Sequence, residues 1–338
     1  MSRGAVDGEI RSILVVRYSA LGDVVLATSV LAPLRARFPN ARIEWITDRL
    51  YLPLLEGLPE VAAVHALERS GPQSATSLAL RFRGQFDLAI DLQNKVRSAL
   101  ICAAAGRRHL AFHRRSAGQA IRSLFGSDPP LDRAHATALY AEVLAPLGIG
   151  GAGPLRLHLS QQAHTLGADA LTGVRAPAVA IAPGARWATK RWPAERFAEL
   201  ADRVSAQGVQ IVLAGGPSDR DAFAAFRAAT RAPIAADLSP LPIDALAAAL
   251  GRVQLLVACD SGPVHLASAV GTPCLALFGP TSVVRWGPRP PGRTISLDLS
   301  CAPCSNHGGH FCPEGHHRCL ADLTADRVAA VACEMLAV

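Results

Sequence analysis

The 338-residue sequence predicts an α/β protein, with parallel sheets covered by helices in two Rossmann-like domains. Three observations predict it. Short apolar runs of strand length alternate with longer stretches of helical periodicity, the rhythm of strand, crossover helix and parallel strand. The runs end abruptly in turns rich in Gly, Pro, Ser and Asp. With 50% hydrophobic residues, a chain of this length has apolar material for two ordinary cores.

In order, residues 13–17 (ILVVR) read as a short buried strand, followed by the turn Tyr18-Ser19-Ala20-Leu21-Gly22-Asp23. A helix is expected over 24–38, with Leu26, Val30, Leu34 and Phe38 on its inner face and a stop at Pro39-Asn40. Asp23 therefore stands at a helix start. As an N-cap carboxylate it needs no ligand. At the C-terminal end of a first parallel strand, just after a glycine turn, it also stands where open α/β sheets bind substrates, and is a candidate general base. Strands are expected at 43–47 and 86–91, and a helix over 96–105. Lys95 and Arg97, and the pair Arg114-Arg115, follow strand-like runs and are candidates to meet phosphates on an acceptor, with Ser19 of the first turn. The glycine-rich residues 147–154 mark a domain boundary, dividing 1–155 from 156–338, with 155–159 (LRLHL) as a strand-like connector.

The second domain repeats the rhythm. A strand at 179–182 leads into Pro183-Gly184-Ala185-Arg186, then Lys190-Arg191-Trp192 and a helix over 192–204 with Phe197, Leu200, Ala201 and Val204 inward. Lys190, in a strand-to-helix loop, can neutralise a diphosphate without a metal; a solvated loop lysine is the plain alternative. The strand 210–213 runs into Gly215-Gly216-Pro217-Ser218-Asp219, and an Ala-rich helix covers 243–251. Neither glycine pair completes a G-x-G-x-x-G or Walker pattern. The most informative stretch is 253–281, VQLLVACDSGPVHLASAVGTPCLALFGPT, which reads as strand, tight turn, short helix, turn and strand. In its turn Asp260-Ser261-Gly262-Pro263, the glycine permits close backbone approach, Ser261 is a candidate cap and Pro263 suits a first helical turn. Such a helix start, with N–H groups near Gly262 and Val264, is an anion site as well as an ordinary capped turn. His265 follows one turn in, either toward a phosphate or hydrogen-bonded inside the fold.

Charge and composition narrow the ligand. The formal charge of +7 is moderate, with local concentrations at 107–109 and 113–115. A phosphorylated ligand or an anionic membrane surface suits this better than nucleic acid, for which there is no recognition motif and only 5% aromatic content. No apolar signal core precedes residue 13 and no stretch approaches the ~18 apolar residues of a membrane span, so a cytoplasmic protein is expected.

Together these motifs resemble glycosyltransferase family 9, the ADP-heptose:lipopolysaccharide heptosyltransferases, over nearly the whole chain. The resemblance rests on five pieces in order: Ser19-Ala20-Leu21-Gly22-Asp23-Val24; Pro183-Gly184-Ala185 with Lys190-x-Trp192-Pro193; Gly215-Gly216-Pro217; Asp260-Ser261-Gly262-Pro263-x-His265-Leu266-Ala267 with Gly271-Thr272-Pro273; and Leu277-Phe278-Gly279-Pro280-Thr281. It implies a GT-B fold, two Rossmann-like domains facing across a cleft, with the donor held by the C-terminal domain and the acceptor by the N-terminal one. It implies inverting transfer of heptose from ADP-heptose to a phosphorylated lipid A-Kdo/heptose acceptor at the cytoplasmic face of the inner membrane, with no cofactor required. Asp23 is then the base. Lys190 and the 261–264 helix start stabilise departing ADP, with Gly184, Ala185 and His265 around the donor. Asp260 holds donor hydroxyls, and Ser218 or Asp219 meets the ribose. Alternatives are a protein acceptor, another nucleotide sugar, or a binding protein that has lost catalysis.

Four of the eight cysteines cluster as Cys301-x2-Cys304-x7-Cys312-x6-Cys319, among several histidines. In a reducing compartment this pattern points to a metal before disulfides, and four thiolates suit structural zinc or iron. Four reduced thiols without metal are the alternative. Similar tails occur in heptosyltransferase II-like members, and the resemblance extends to an iron-binding cysteine site in related protein heptosyltransferases.

Overall fold

The computed structural model describes residues 10–112 and 134–338. The chain divides into two compact units, Met1–Pro129 with Ala136–His158, and Pro130–His135 with Leu159–Val338.

The first unit is built on β1 (Ser12–Val16), β2 (Arg42–Asp48), β3 (Ala63–Leu67), β4 (Phe86–Asp91) and β5 (Gly106–Ala111), all parallel, in the order β3-β2-β1-β4-β5. From Ile13 to Val16 the central strand is wholly buried. A parallel strand covered on both faces has no solvated side, hence its unbroken apolar run. The strand order reverses between β1 and β4, creating a crevice at their C-terminal ends where open sheets take ligands.

The second unit repeats the plan with β6 (Ala178–Ala182), β7 (Gln210–Leu213), β8 (Ile234–Asp237), β9 (Leu255–Cys259), β10 (Cys274–Leu277) and β11 (Arg293–Ile295). These are parallel in the order β11-β10-β9-β6-β7-β8, so the reversal falls between β6 and β9. Its core packs Trp192, Phe197, Leu200 and Phe226 against Ile181, Ile211, Val257 and Leu275, with the last helix, Ala325–Leu336, closing over it.

Two expectations from sequence need correction. The helix expected over 24–38 is three pieces: Leu21–Ala27, a 3-10 turn Thr28–Val30, and Leu31–Arg37. Pro33 has no N–H to return to the Ser29 carbonyl, which instead accepts from Gly153 N–H at 2.8 Å. The Thr28 and Ser29 hydroxyls donate back to the carbonyls of Val25 and Leu26, tightening the turn. The connector 155–159 is not a strand. Its N–H groups go singly to partners outside any sheet, Arg156 to Thr28 Oγ1 (2.9 Å) and His158 to the Leu54 carbonyl (2.8 Å). The basic stretch 107–109 is an exposed part of edge strand β5, where charge discourages further pairing. Among the described residues no helix is long and apolar enough to cross a membrane.

Candidate active site

Each unit carries a carboxylate paired with a cation at the C-terminal edge of its sheet, one partner buried and the other half-buried.

In the first unit, Arg17 follows β1 directly. A guanidinium there is out of water and needs a carboxylate, since an unpaired buried charge costs several kcal/mol. Asp23, in the first turn of the helix Leu21–Ala27, supplies it: Arg17 Nη2 lies 2.5 Å from Asp23 Oδ1, with side-chain exposures of 9% and 14%. Tyr140, from the helix Ala136–Glu142, donates its hydroxyl to the same oxygen at 2.7 Å, and the Arg17 guanidinium lies over its ring. Arg17 also donates to the Leu92 carbonyl. Burial alone would lower the Arg17 pKa, but Asp23 reverses this, aided by Tyr140 and Asp91, and the net shift is upward. Asp23 Oδ2 accepts from Ala20 N–H at 3.4 Å, so the capping reading and the paired reading describe the same side chain.

Gln93 steadies the preceding turn. Its Oε1 accepts from Tyr18 and Ser19 N–H, each at 3.1 Å, and its Nε2 donates to Ser19 Oγ at 3.4 Å. Ser19 is therefore half-buried beside Asp23's helix. Of the acceptor candidates, Lys95 is exposed at the start of the helix Val96–Ala105. Arg97 is turned toward the protein, donating to the Glu68 carbonyl with its guanidinium over the Tyr18 ring. Arg114 and Arg115 lie outside the described residues.

In the second unit, the loops after β6, β7, β9 and β10 meet at one edge of the sheet. Lys190 sits in the 3-10 turn Ala188–Lys190, which Trp192 anchors by donating Nε1–H to the Leu323 carbonyl at 2.9 Å. Lys190 Nζ lies 2.6 Å from Asp260 Oδ2, with side-chain exposures of 14% and 6%. Thr281, in the turn after β10, donates its hydroxyl to that oxygen at 2.6 Å. Asp260, expected to hold donor hydroxyls, is here the counter-charge of Lys190.

The helix start differs from expectation in two respects. Ser261 is the N-cap by backbone, but its hydroxyl donates to the Cys259 carbonyl (3.0 Å) and does not cap the helix Gly262–Val270. The Val264 N–H, expected to face a phosphate, donates to the Ser261 carbonyl at 3.2 Å. Pro263 fills the first turn without an N–H, and His265 is buried within the fold. Beside this start, Gly184 packs against Asp219, where a Cβ would come within 2.2 Å of the carboxylate carbon. Asp219 accepts from Gly216 N–H at 3.0 Å, Ser218 is exposed, and Ala185 is buried with its carbonyl held by Arg191.

All eight cysteines are free thiols. Cys301, Cys304, Cys312 and Cys319 line one cavity of about 200 Å³ together with His316 and His317. Burial, together with Cys304, Cys312 and Cys301, pushes the Cys319 thiol up to about 11. The donor set suits a thiolate-bound metal. Among the described residues, however, the trio whose ligating atoms lie within 4.8 Å of one another is Asp91, Cys102 and His109, and no three tail cysteines are gathered so closely. In that trio Asp91 Oδ1 accepts from Gln93 and Asn94 N–H, and burial raises the Cys102 thiol well above its ordinary value.

Sequence reasoning passed over Arg17, Tyr140 and Thr281 as site residues. The first had a signal, a charge closing an apolar strand with a carboxylate six residues on. Tyr140, 117 residues from Asp23, had none.

The model of glycosyltransferase family 9 (heptosyltransferase) matches residues 75–312. Lipopolysaccharide heptosyltransferase 1 of Pseudomonas aeruginosa is 30% identical, over 93% of this chain and 92% of its own. Lipopolysaccharide heptosyltransferase 2 of Escherichia coli is 28% identical, over 94% and 96%. The solved structure of E. coli ADP-heptose LPS heptosyltransferase II superposes with a TM-score of 0.72 at 25% identity, covering 96% of this chain and 98% of that one. The fold class is GT-B. The chain is a glycosyl-transferring enzyme and belongs to glycosyltransferase family 9, the heptosyltransferases.

Proposed function

We propose that the enzyme transfers heptose from ADP-heptose to the inner core of lipopolysaccharide, inverting the anomeric carbon. The observation that carries the reading is the second unit's edge, where Lys190 stands beside a helix start that its own serine leaves uncapped. Ammonium and helix start together form a place for a diphosphate. Lys190 has three N–H donors, so it can meet a phosphate while keeping Asp260.

Asp23 takes the proton of an acceptor hydroxyl as that oxygen forms its bond to the anomeric carbon. The bond from that carbon to the phosphate oxygen breaks on the opposite face, and ADP departs. Lys190 and the N–H groups of Ser261 and Gly262 stabilise the charge gathering on the leaving group. Arg17 and Tyr140 hold the Asp23 carboxylate in place. The acceptor is a phosphorylated lipid A-Kdo/heptose on the cytoplasmic face of the inner membrane, met by Lys95 and neighbouring basic residues. Asp219 or Ser218 serves the ribose. Cys301, Cys304, Cys312 and Cys319 would hold a structural zinc or iron, which makes and breaks no bond in the transfer.

The test is ADP release from ADP-heptose, comparing acceptors ending in Kdo with acceptors already bearing one heptose. Release with one and not the other assigns the step. No release with either, in protein that binds ADP, would overturn the lipopolysaccharide acceptor and direct the search to peptides.

A further inference from the structure

The cysteine-rich segment is bonded to the two turns that hold the Lys190–Asp260–Thr281 cluster. Thr189 and Gly309 are joined by three hydrogen bonds. Thr189 N–H and Oγ1 donate to the Gly309 carbonyl at 3.1 and 3.0 Å, and Gly309 N–H donates back to Thr189 Oγ1 at 2.8 Å. His317 Nε2 lies 2.6 Å from the Thr189 carbonyl. Gly308 lies against Lys190 itself, so that a Cβ there would come within 2.7 Å of Lys190 Cδ. On the other side, the N–H groups of Cys304 and Ser305 both donate to the carbonyl of Pro280, next to Thr281, at 3.0 and 2.9 Å.

The four thiols line a cavity whose walls include Thr189, Pro280, Gly309 and His317. Its volume of about 200 Å³ exceeds the ~30 Å³ share of one water molecule several times over. Tetrahedral thiolate ligation places sulfur about 2.3 Å from the metal. One ion held by all four thiols would therefore tie together the parts of the segment that are bonded to Thr189 and to Pro280. Thr189, Gly309 and His317 in the cavity's walls are the residues that hold the Lys190 turn.

We propose that segment 301–319 is a metal-held clasp: a divalent zinc or iron ion bound by Cys301, Cys304, Cys312 and Cys319 fixes the turn that positions Lys190 and so sets affinity for the donor's diphosphate. The inference rests on the reading of Lys190 as a diphosphate ligand. Thr189 is a positioning residue, acting through Lys190.

The test uses the full chain and titration calorimetry with ADP. Protein purified under reducing conditions is stripped with a chelator, its retained fold checked by circular dichroism, and reloaded with zinc, with metal content measured by elemental analysis. Cobalt(II) serves as a second probe, because thiolate ligation gives it strong near-ultraviolet absorption. The expected results are one metal per chain and roughly tenfold weaker ADP binding after stripping, restored by zinc. In Lys190→Ala protein, ADP binding is already weak and stripping changes it no further. Thr189→Val weakens ADP binding in the loaded protein, and Thr189→Ser, which keeps the hydroxyl, restores it. Equal ADP affinity with and without metal, or failure to take up metal, overturns the clasp. So does the same loss on stripping in Lys190→Ala protein. Should Lys190→Ala bind ADP as tightly as the parent, the diphosphate reading itself fails, a result distinct from the others.

Discussion

The two units contain one construction with its roles exchanged. In the first, a carboxylate oxygen of Asp23 takes Arg17 at 2.5 Å and the Tyr140 hydroxyl at 2.7 Å. In the second, a carboxylate oxygen of Asp260 takes Lys190 at 2.6 Å and the Thr281 hydroxyl at 2.6 Å. Under the proposed reaction the carboxylate works in the first and the cation in the second. The choice of cation follows. Arginine stays charged at any physiological pH and grips with a fixed fork, which suits a residue whose task is to hold Asp23 still. Lysine is a compact charge with three rotatable donors, which suits a residue that must keep its counter-ion and turn toward an arriving phosphate. A buried pair adds little net stability by itself, so both pairs read more readily as devices for placing charge.

The largest effect that could break this comparison is at Asp23. Asp23→Asn preserves the shape, leaves Arg17 without its counter-charge and removes the base. Turnover should fall by roughly 10²–10⁴-fold, with ADP affinity unchanged. Steady-state turnover and ADP calorimetry on the same preparation check it, and undiminished turnover would remove Asp23 from the mechanism. Next is Lys190→Ala, for which turnover should fall by roughly 10²–10³-fold. Here ADP affinity falls as well, and part of the loss comes from leaving Asp260 buried and unpaired. Lys190→Ala/Asp260→Ala separates the parts: stability should recover while turnover does not, read by thermal melts beside the assay. If turnover recovers with stability, Lys190 is structural.

A smaller effect sharpens the comparison by removing the second donor on each side. Tyr140→Phe and Thr281→Val each delete one hydrogen bond to a buried carboxylate, worth about 1–3 kcal/mol. If the roles are exchanged as proposed, Tyr140→Phe lowers turnover roughly tenfold with no change in the donor's KM. Thr281→Val, by loosening the anchor of Lys190, acts mainly on the donor's KM. The reverse pattern would mean that the two clusters had been assigned to the wrong tasks.

What was legible in the sequence follows from the range of the forces involved. β1 and β9 could be read because buried parallel strands are unbroken apolar runs, and the turns after them because Gly, Pro and Asp punctuate locally. The same local signals located Asp23, Lys190 and Asp260 one at a time. Their partners were illegible for a physical reason. Thr281 reaches Asp260 across 21 residues and Tyr140 reaches Asp23 across 117, and a hydroxyl at such a distance leaves no periodicity or spacing. The pairing of Lys190 with Asp260 was missed because each had been read as a ligand of the donor. Two opposite charges at the ends of neighbouring strands meet one another whether or not a ligand is present. The kink at Thr28–Val30 was readable in principle, from Pro33 inside a helical pattern. The bonding of the cysteine-rich tail to Thr189 and Pro280 could be found only in the folded chain.

The smallest effect on catalysis should come from a third carboxylate, which tests whether the construction alone implies chemistry. Glu44 of β2 is buried, takes Arg42 on one oxygen, and has His65 Nε2 at 2.6 Å from the other. The hydrogen bond from His65 holds its pKa below the usual carboxylate range, against the upward pull of burial and with help from Arg42. Since the folded value lies below that of the unfolded chain, unfolding at acid pH takes up a proton. The stabilisation is therefore fully present above the unfolded value of about 4.3 and is lost as pH falls through the folded value. His65→Phe keeps the ring contact with Phe82 and deletes the hydrogen bond. It should cost about 1–3 kcal/mol at pH ~7, and urea midpoints of parent and variant should converge as the pH is lowered past about 4. Turnover should stay within a factor of about two, a change below ~0.5 kcal/mol in the barrier. A large loss of turnover would mean that buried carboxylate pairs in the first unit are coupled, and that Asp23's effect could not be assigned to proton transfer alone.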